Sequence, residues 1–143
     1  MNIALFMLPK SMAAYLYDDY TVRQALEKMA YHGYAAIPVI DREGYYVGTV
    51  SEGSFLWYLV NGEGGELHPI DISSLENVML KDVPYDKRNT TVNISASIEE
   101  IYDKVLNQNF IPVVDDRQAF IGIITRSAVI QHLREKSGID EQD

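Results

Sequence analysis

The 143-residue chain has no cysteine, which excludes disulfides and thiolate metal sites. Basic residues are few: 12 Lys+Arg stand against 21 Asp+Glu, a formal net charge of −9. That sign repels phosphate backbones and argues against DNA or RNA as a main partner. It leaves a small phosphorylated ligand open, because helix N-termini and backbone amides hold anions locally. No stretch approaches the roughly 20 apolar residues that span a bilayer. The apolar opening Ile3-Ala4-Leu5-Phe6-Met7-Leu8 is short, lacks a positive flank and stops at Pro9. It reads as a short helix or strand docked on the body rather than a signal peptide. Catalytic signatures are missing too: there is no P-loop, no Gly-x-Gly-x-x-Gly and no Gly-x-Ser-x-Gly. His32, His68 and His132 lack metal-ligand spacing. The pairs Asp18-Asp19 and Asp115-Asp116 fall in expected turns, and adjacent carboxylates rarely face one pocket. With 47% hydrophobic and 23% charged residues, the composition is that of a soluble globular protein. We expect a cytoplasmic protein, not an enzyme, with no metal and no required cofactor.

What is present is repetition. Ile37-Pro38-Val39-Ile40-Asp41 lies over Ile111-Pro112-Val113-Val114-Asp115, and the match runs without a gap from Ile37–Leu59 onto Ile111–Leu133, an offset of 74. Ile, Pro, Val, Asp, Gly and Leu recur identically at 37, 38, 39, 41, 48 and 59 of the first copy. Upstream, Val22, Ala25, Leu26, Met29 and Ala30 keep the spacing of an amphipathic helix, as do Ile98, Ile101, Tyr102, Val105 and Leu106 at an offset of 76. Thr21 with Gln24, and Ser97 with Glu100, predict a capping box on each helix.

Each copy therefore reads as an extended lead-in (14–17; 91–94), a capped helix, a buried strand (36–40; 111–114), a polar turn, a second strand (45–50; 119–124), and a helix opened by Ser51 or Thr125. Between the copies, residues 61–66 form an acidic, Gly-rich linker, Ser74–Leu80 is expected to be a short helix, and Val83-Pro84 starts the second copy. The tail, 137–143, is polar. A half of about 60 residues cannot bury much core alone, which favours one joint unit over two independent domains.

This order, with an apolar-Pro-Val-apolar-Asp strand and a Gly-apolar-apolar-Ser/Thr entry to the last helix, resembles the CBS domain. Two in tandem resemble a Bateman module. The likeness covers about residues 8–135, with a first domain at 8–60, a linker at 61–77 and a second domain at 78–135. It implies an α/β fold, a pseudo-two-fold pair of β-α-β-β-α units packed sheet to sheet. It resembles stand-alone bacterial CBS-pair proteins, some of which bind cyclic di-AMP. The resemblance implies a regulatory ligand, an adenine nucleotide, in the cleft between the domains. Carried over by motif, the binding positions are Tyr34, Ala35, Ala36, Ile37, Pro38, Ser51 and Ser54 in the first copy. In the second they are Phe110, Ile111, Pro112, Thr125, Arg126 and Ala128. Met12, Ala13 and Thr91 border the pocket. The family's usual Asp on the ribose diol is Ser54 in one copy and Ala128 in the other, which weakens ordinary AMP or ATP binding. Cyclic di-AMP, with its 3′ oxygens esterified, depends less on that carboxylate.

Several of these residues have a plainer reading as well. Ser51 and Thr125 are ligand contacts or simply helix caps. Arg126 sits where the helix dipole disfavours a cation, so it faces a ligand phosphate, pairs with Asp115 or Asp116, or is solvated. Pro38 and Pro112 imply an open strand edge, where a base docks or which is structural only. The nearly all-apolar helix around Phe55, Leu56 and Trp57, with Tyr45, Tyr46 and Tyr58 nearby, suggests a homodimer interface. The expected function is a sensor relaying nucleotide occupancy to a protein target. The alternative is a ligand-independent dimerisation scaffold with decayed sites.

Overall fold

The computed structural model describes residues 2–61 and 72–138. The expected Gly-rich linker beyond Asn61, His68 and the last five residues lie outside them. The chain forms two compact units, Ala14–Lys87 and Met1–Ala13 with Arg88–Asp143.

In the first unit a three-stranded sheet has the order β2-β3-β4, with β2 Leu16–Tyr17, β3 Ala36–Ile40 and β4 Tyr46–Ser51. Helix α1, Val22–His32, sits between β2 and β3, and α2, Glu52–Asn61, follows β4. The expected capping box forms on α1: Gln24 N donates to Thr21 Oγ1 at 3.1 Å, and Thr21 N donates to Gln24 Oε1 at 2.9 Å. The helix stops at Gly33, whose φ of 71° an L side chain adopts only at a cost. Val22, Ala25 and Met29 turn the apolar stripe of α1 onto Leu16, Ile37, Val39 and Val50.

The second unit repeats this plan with β5 Val92–Asn93, α3 Ile98–Val105, β6 Phe110–Val114, β7 Phe120–Thr125 and α4 Arg126–Ser137. Its sheet gains a strand, β1 Leu8–Pro9, to give the order β1-β7-β6-β5. The repeat holds down to its irregularities. The register slips between Val39 and Ile40 in one hairpin and between Val113 and Val114 in the other. Both turns are held by an aspartate whose Oδ1 accepts two amides: Asp41 from Glu43 and Tyr45, Asp115 from Arg117 and Ala119. Gly44, at φ 94°, has Gln118, at φ 68°, as its counterpart. On α3 only half of the expected box forms: Glu100 N donates to Ser97 Oγ at 3.3 Å, and the helix cap rests on that bond.

The apolar N-terminus docks as expected. A 3₁₀ turn at Ile3–Phe6 buries Ile3 completely against Val92, Ile101, Ile111 and Ile124, and β1 pairs antiparallel with β7. The stretch expected as a helix over Ser74–Leu80 is instead two 3₁₀ turns, Ile72–Asn77 and Leu80–Asp82. Backbone bonds from this segment to α1 and its lead-in break the helical ladder: Val22 N donates to Val78 O, and Leu80 N to Tyr20 O. Leu75, Leu80 and Val83 are buried in the core of the first unit. So residues 1–13 pack with the second copy, and residues 72–87 with the first.

These lead segments close on two glycines. Tyr85 lies flat against Gly48, and Met7 with the Leu8 carbonyl lies against Gly122, so an added Cβ would collide at either place. Burial here, aided by the carboxylate of Asp18, pushes the Tyr85 phenol up to about 12. An unfolded phenol titrates near 10, so the folded state keeps a proton that the unfolded chain has given up. Stability from this group is full below pH 10 and is lost as pH rises from 10 to 12. Chemical denaturation across that window is expected to show a falling midpoint whose slope Tyr85→Phe flattens. An unchanged slope in the variant would remove Tyr85 as its cause.

Candidate functional site

The motif residues of each copy come together where the central strand meets the N-terminus of the following helix. In the first unit Ala36 pairs directly with Ser51, Ile37 with Val50, and Pro38 with Thr49. In the second, Phe110 pairs with Thr125, Ile111 with Ile124, and Pro112 with Ile123. The helix that follows is tied back to the strand entrance by the same bond in both copies: Glu52 N donates to Ala35 O and Arg126 N to Asn109 O, each at 2.9 Å. The prolines stand in central strands, yet the edge expected beside them exists. β2 pairs only with Val39 and Ile40, and β5 only with Val113 and Val114. The first part of each proline strand therefore has a neighbour on one side alone, where a missing N–H costs no ladder bond.

Ile37 and Ile111 are wholly buried and contribute packing, and Pro38 and Pro112 are buried beside them, in the part of each strand that has a ladder partner on one side alone. Tyr34 and Ala35 are exposed, and Tyr34 stacks on His32 with ring centroids 5.2 Å apart and an interplanar angle of 9°. Phe110 is buried. Met12 is exposed and Ala13 half-buried in the turn after β1, where both amides bond back to the Pro9 carbonyl. Met12 and Ala13 belong to the same unit as Thr91, Phe110, Thr125, Arg126 and Ala128.

Both hydroxyls cap their helices. Ser54 N donates to Ser51 Oγ, Ser51 N donates to Ser54 Oγ, and the two hydroxyls lie 3.2 Å apart. Ser54 thus plays the reciprocal part of a capping box. In the second copy Ala128 N donates to Thr125 Oγ1 at 3.1 Å, and Ala128 has no side chain to return the bond. Thr125 Oγ1 lies 3.2 Å from Ser127 Oγ instead. Arg126 pairs with neither aspartate offered to it by the sequence. Its Nε donates to the Val105 carbonyl at 2.9 Å, at the C-terminal end of α3, where the helix dipole welcomes a cation.

Sequence reasoning missed a polar network behind the second copy. Gln108 is buried, and its Nε2 donates to the carbonyls of Thr90 and Phe110. Thr90 Oγ1 donates to Gln108 Oε1 at 2.8 Å and accepts from Lys104 Nζ at 2.7 Å. In the first copy Lys28 Nζ donates to the Tyr15 carbonyl at 2.8 Å. Each helix thus holds its lead-in with a lysine at the same repeat position. The pairing of Lys28 with Lys104, at the helix offset of 76, was the available signal.

The CBS-domain family model matches residues 8–61 and 75–135. The chain belongs to the CBS-domain family. It is similar to the cyclic di-AMP receptor B of Bacillus subtilis, 28% identical over 134 residues that cover 94% of this chain and 87% of that one. Two solved structures share the fold. CbpB in complex with c-di-AMP has a TM-score of 0.83 and 24% identity over 99% of this chain and 91% of that one. CBSX2 in complex with AMP has a TM-score of 0.70 and 23% identity over 95% and 98%. Among the described residues no helix is long and apolar enough to cross a membrane, and no group of three His, Asp or Glu could hold a metal.

In CBS terms the departures at Ser54 and Ala128 have a structural meaning. The first is spent on the cap, and the second leaves the cap single. Thr125→Val is expected to cost about 1 kcal/mol of stability through the lost cap, with Thr125→Ser close to the parent in urea denaturation. Equal stability of all three would show that the hydroxyl caps nothing.

Proposed function

We propose that this chain is a non-catalytic regulatory module that binds an adenine nucleotide at its CBS motifs and relays occupancy to a protein partner. The observation that carries this reading is the doubled CBS match together with the relative named as a cyclic di-AMP receptor. The motif geometry supports it: each copy sets a hydroxyl-capped helix N-terminus beside an open proline strand edge, a place for an anion next to a place for a base. Ser54 and Ala128 supply no carboxylate to chelate a free ribose diol, so cyclic di-AMP suits the site better than AMP or ATP. Binding shifts the module between arrangements by no more than the ligand's differential affinity for them, typically about 1–3 kcal/mol.

Calorimetric titration at fixed salt with cyclic di-AMP, AMP, ATP and S-adenosylmethionine tests this. Cyclic di-AMP is expected to bind at micromolar strength or tighter, and Arg126→Ala to weaken it at least tenfold without unfolding the protein. Silence from all four ligands in folded protein refutes the nucleotide reading.

A second reading, a dimerisation scaffold, draws on α2, where Leu56 and Trp57 are 59% and 64% exposed while Phe55 and Tyr58 are buried. We propose that this exposed face joins two copies of the chain. Sedimentation is expected to give a dimer that Trp57→Glu converts to monomer; a monomeric parent would remove the interface. A dimer that binds none of the nucleotides would favour the scaffold over the sensor.

A further inference from the structure

The two copies differ in charge at a position where their backbone geometry is alike. The first residue of the last helix is Glu52 in one copy and Arg126 in the other, and both backbone amides make the same bond to the strand entrance. Glu52 sits where a helix favours an anion, so its presence needs no ligand to explain it. Arg126 sits against the dipole, and the fold compensates by pinning Nε to the Val105 carbonyl. That bond leaves the guanidinium's terminal Nη donors, and a pinned guanidinium binds a phosphate oxygen with little further loss of rotamer freedom.

In the first copy no cation stands at this position, and the carbonyl serves the backbone instead. The carbonyl equivalent to Val105 is that of Met29, and it accepts the Tyr34 amide. Each copy pairs two hydroxyls 3.2 Å apart, but Ser54 is buried in the first, whereas Ser127 is exposed at the start of α4 in the second.

We infer that the two CBS motifs are unequal: the second alone receives a phosphate of the nucleotide, and Glu52 is the specificity residue that turns phosphate away from the first. This rests on the nucleotide reading above. Amide NMR of the full chain titrated with cyclic di-AMP, with calorimetry in parallel, tests it. In the parent protein the Ser127 and Ala128 amides are expected to shift while Gly53 and Ser54 stay in place. Glu52→Arg is expected to bring Gly53 and Ser54 into the response and to tighten binding there at least tenfold. Glu52→Gln, which removes only the charge, should give a smaller gain of the same sign, and Arg126→Glu should abolish the response of the second copy.

Equal shifts at both helix starts in the parent, or no gain at Gly53 in either Glu52 variant, would overturn the inference and leave the nucleotide reading standing. No response to cyclic di-AMP or AMP from either copy would overturn both.

Discussion

The contact on which the rest of this structure depends is the closure of each sheet by a segment that leads into the opposite copy. A three-stranded sheet with two helices leaves part of one face open, and a half of this size cannot spare that area. In the first unit Leu75, Leu80 and Val83 fill it, with Tyr85 laid on Gly48. In the second, Ile3 fills it, with Met7 laid on Gly122. Both glycines stand at the same place in the hairpin, beside the register slip. Their identity in both copies is therefore a packing requirement: only a residue without a Cβ lets the foreign segment reach the sheet.

Much of this was legible in the sequence because duplication doubles every weak signal. The helices at 22–32 and 98–105, the proline strands and the aspartate turns each appear twice, and a pattern seen once in noise is rarely seen again in register. Asp41 and Asp115 carry the turn chemistry in each copy, and each accepts two amides with Oδ1. The destination of the lead segments was not legible. A dipeptide such as Leu8-Pro9 carries no record of which sheet edge it will join, since backbone pairing is blind to sequence distance. The stretch from Ser74 to Leu80 differs from a helix for a related reason. Its apolar spacing suits a helix, but the Val78 carbonyl and the Leu80 and Lys81 amides bond to Val22, Tyr20 and Asp18 at and before the start of α1, and tertiary bonds outweigh propensity in so short a run.

The motif residues show the same division. Pairings such as Ala36 with Ser51 and Phe110 with Thr125 follow from the repeat. The fate of Arg126 does not, because its carbonyl acceptor lies 21 residues away on another helix. Buried Gln108 was hidden by the two-residue shortening between helix and strand, which leaves it without an obvious partner in the first copy. The copies have thus kept their backbone while exchanging side-chain chemistry: a stacked tyrosine and histidine in one, a glutamine–threonine–lysine network in the other.

The chain crosses between its units twice, near residues 13 and 87, and this shapes how such a protein can change over generations. A gene cut between the copies would yield a first product lacking the Leu80 and Tyr85 plug, and a second lacking Ile3. Neither fragment could be moved singly into a new host gene and keep its sheet covered. What recombination can shuffle is the pair, so the two halves are inherited together even as their surfaces drift apart.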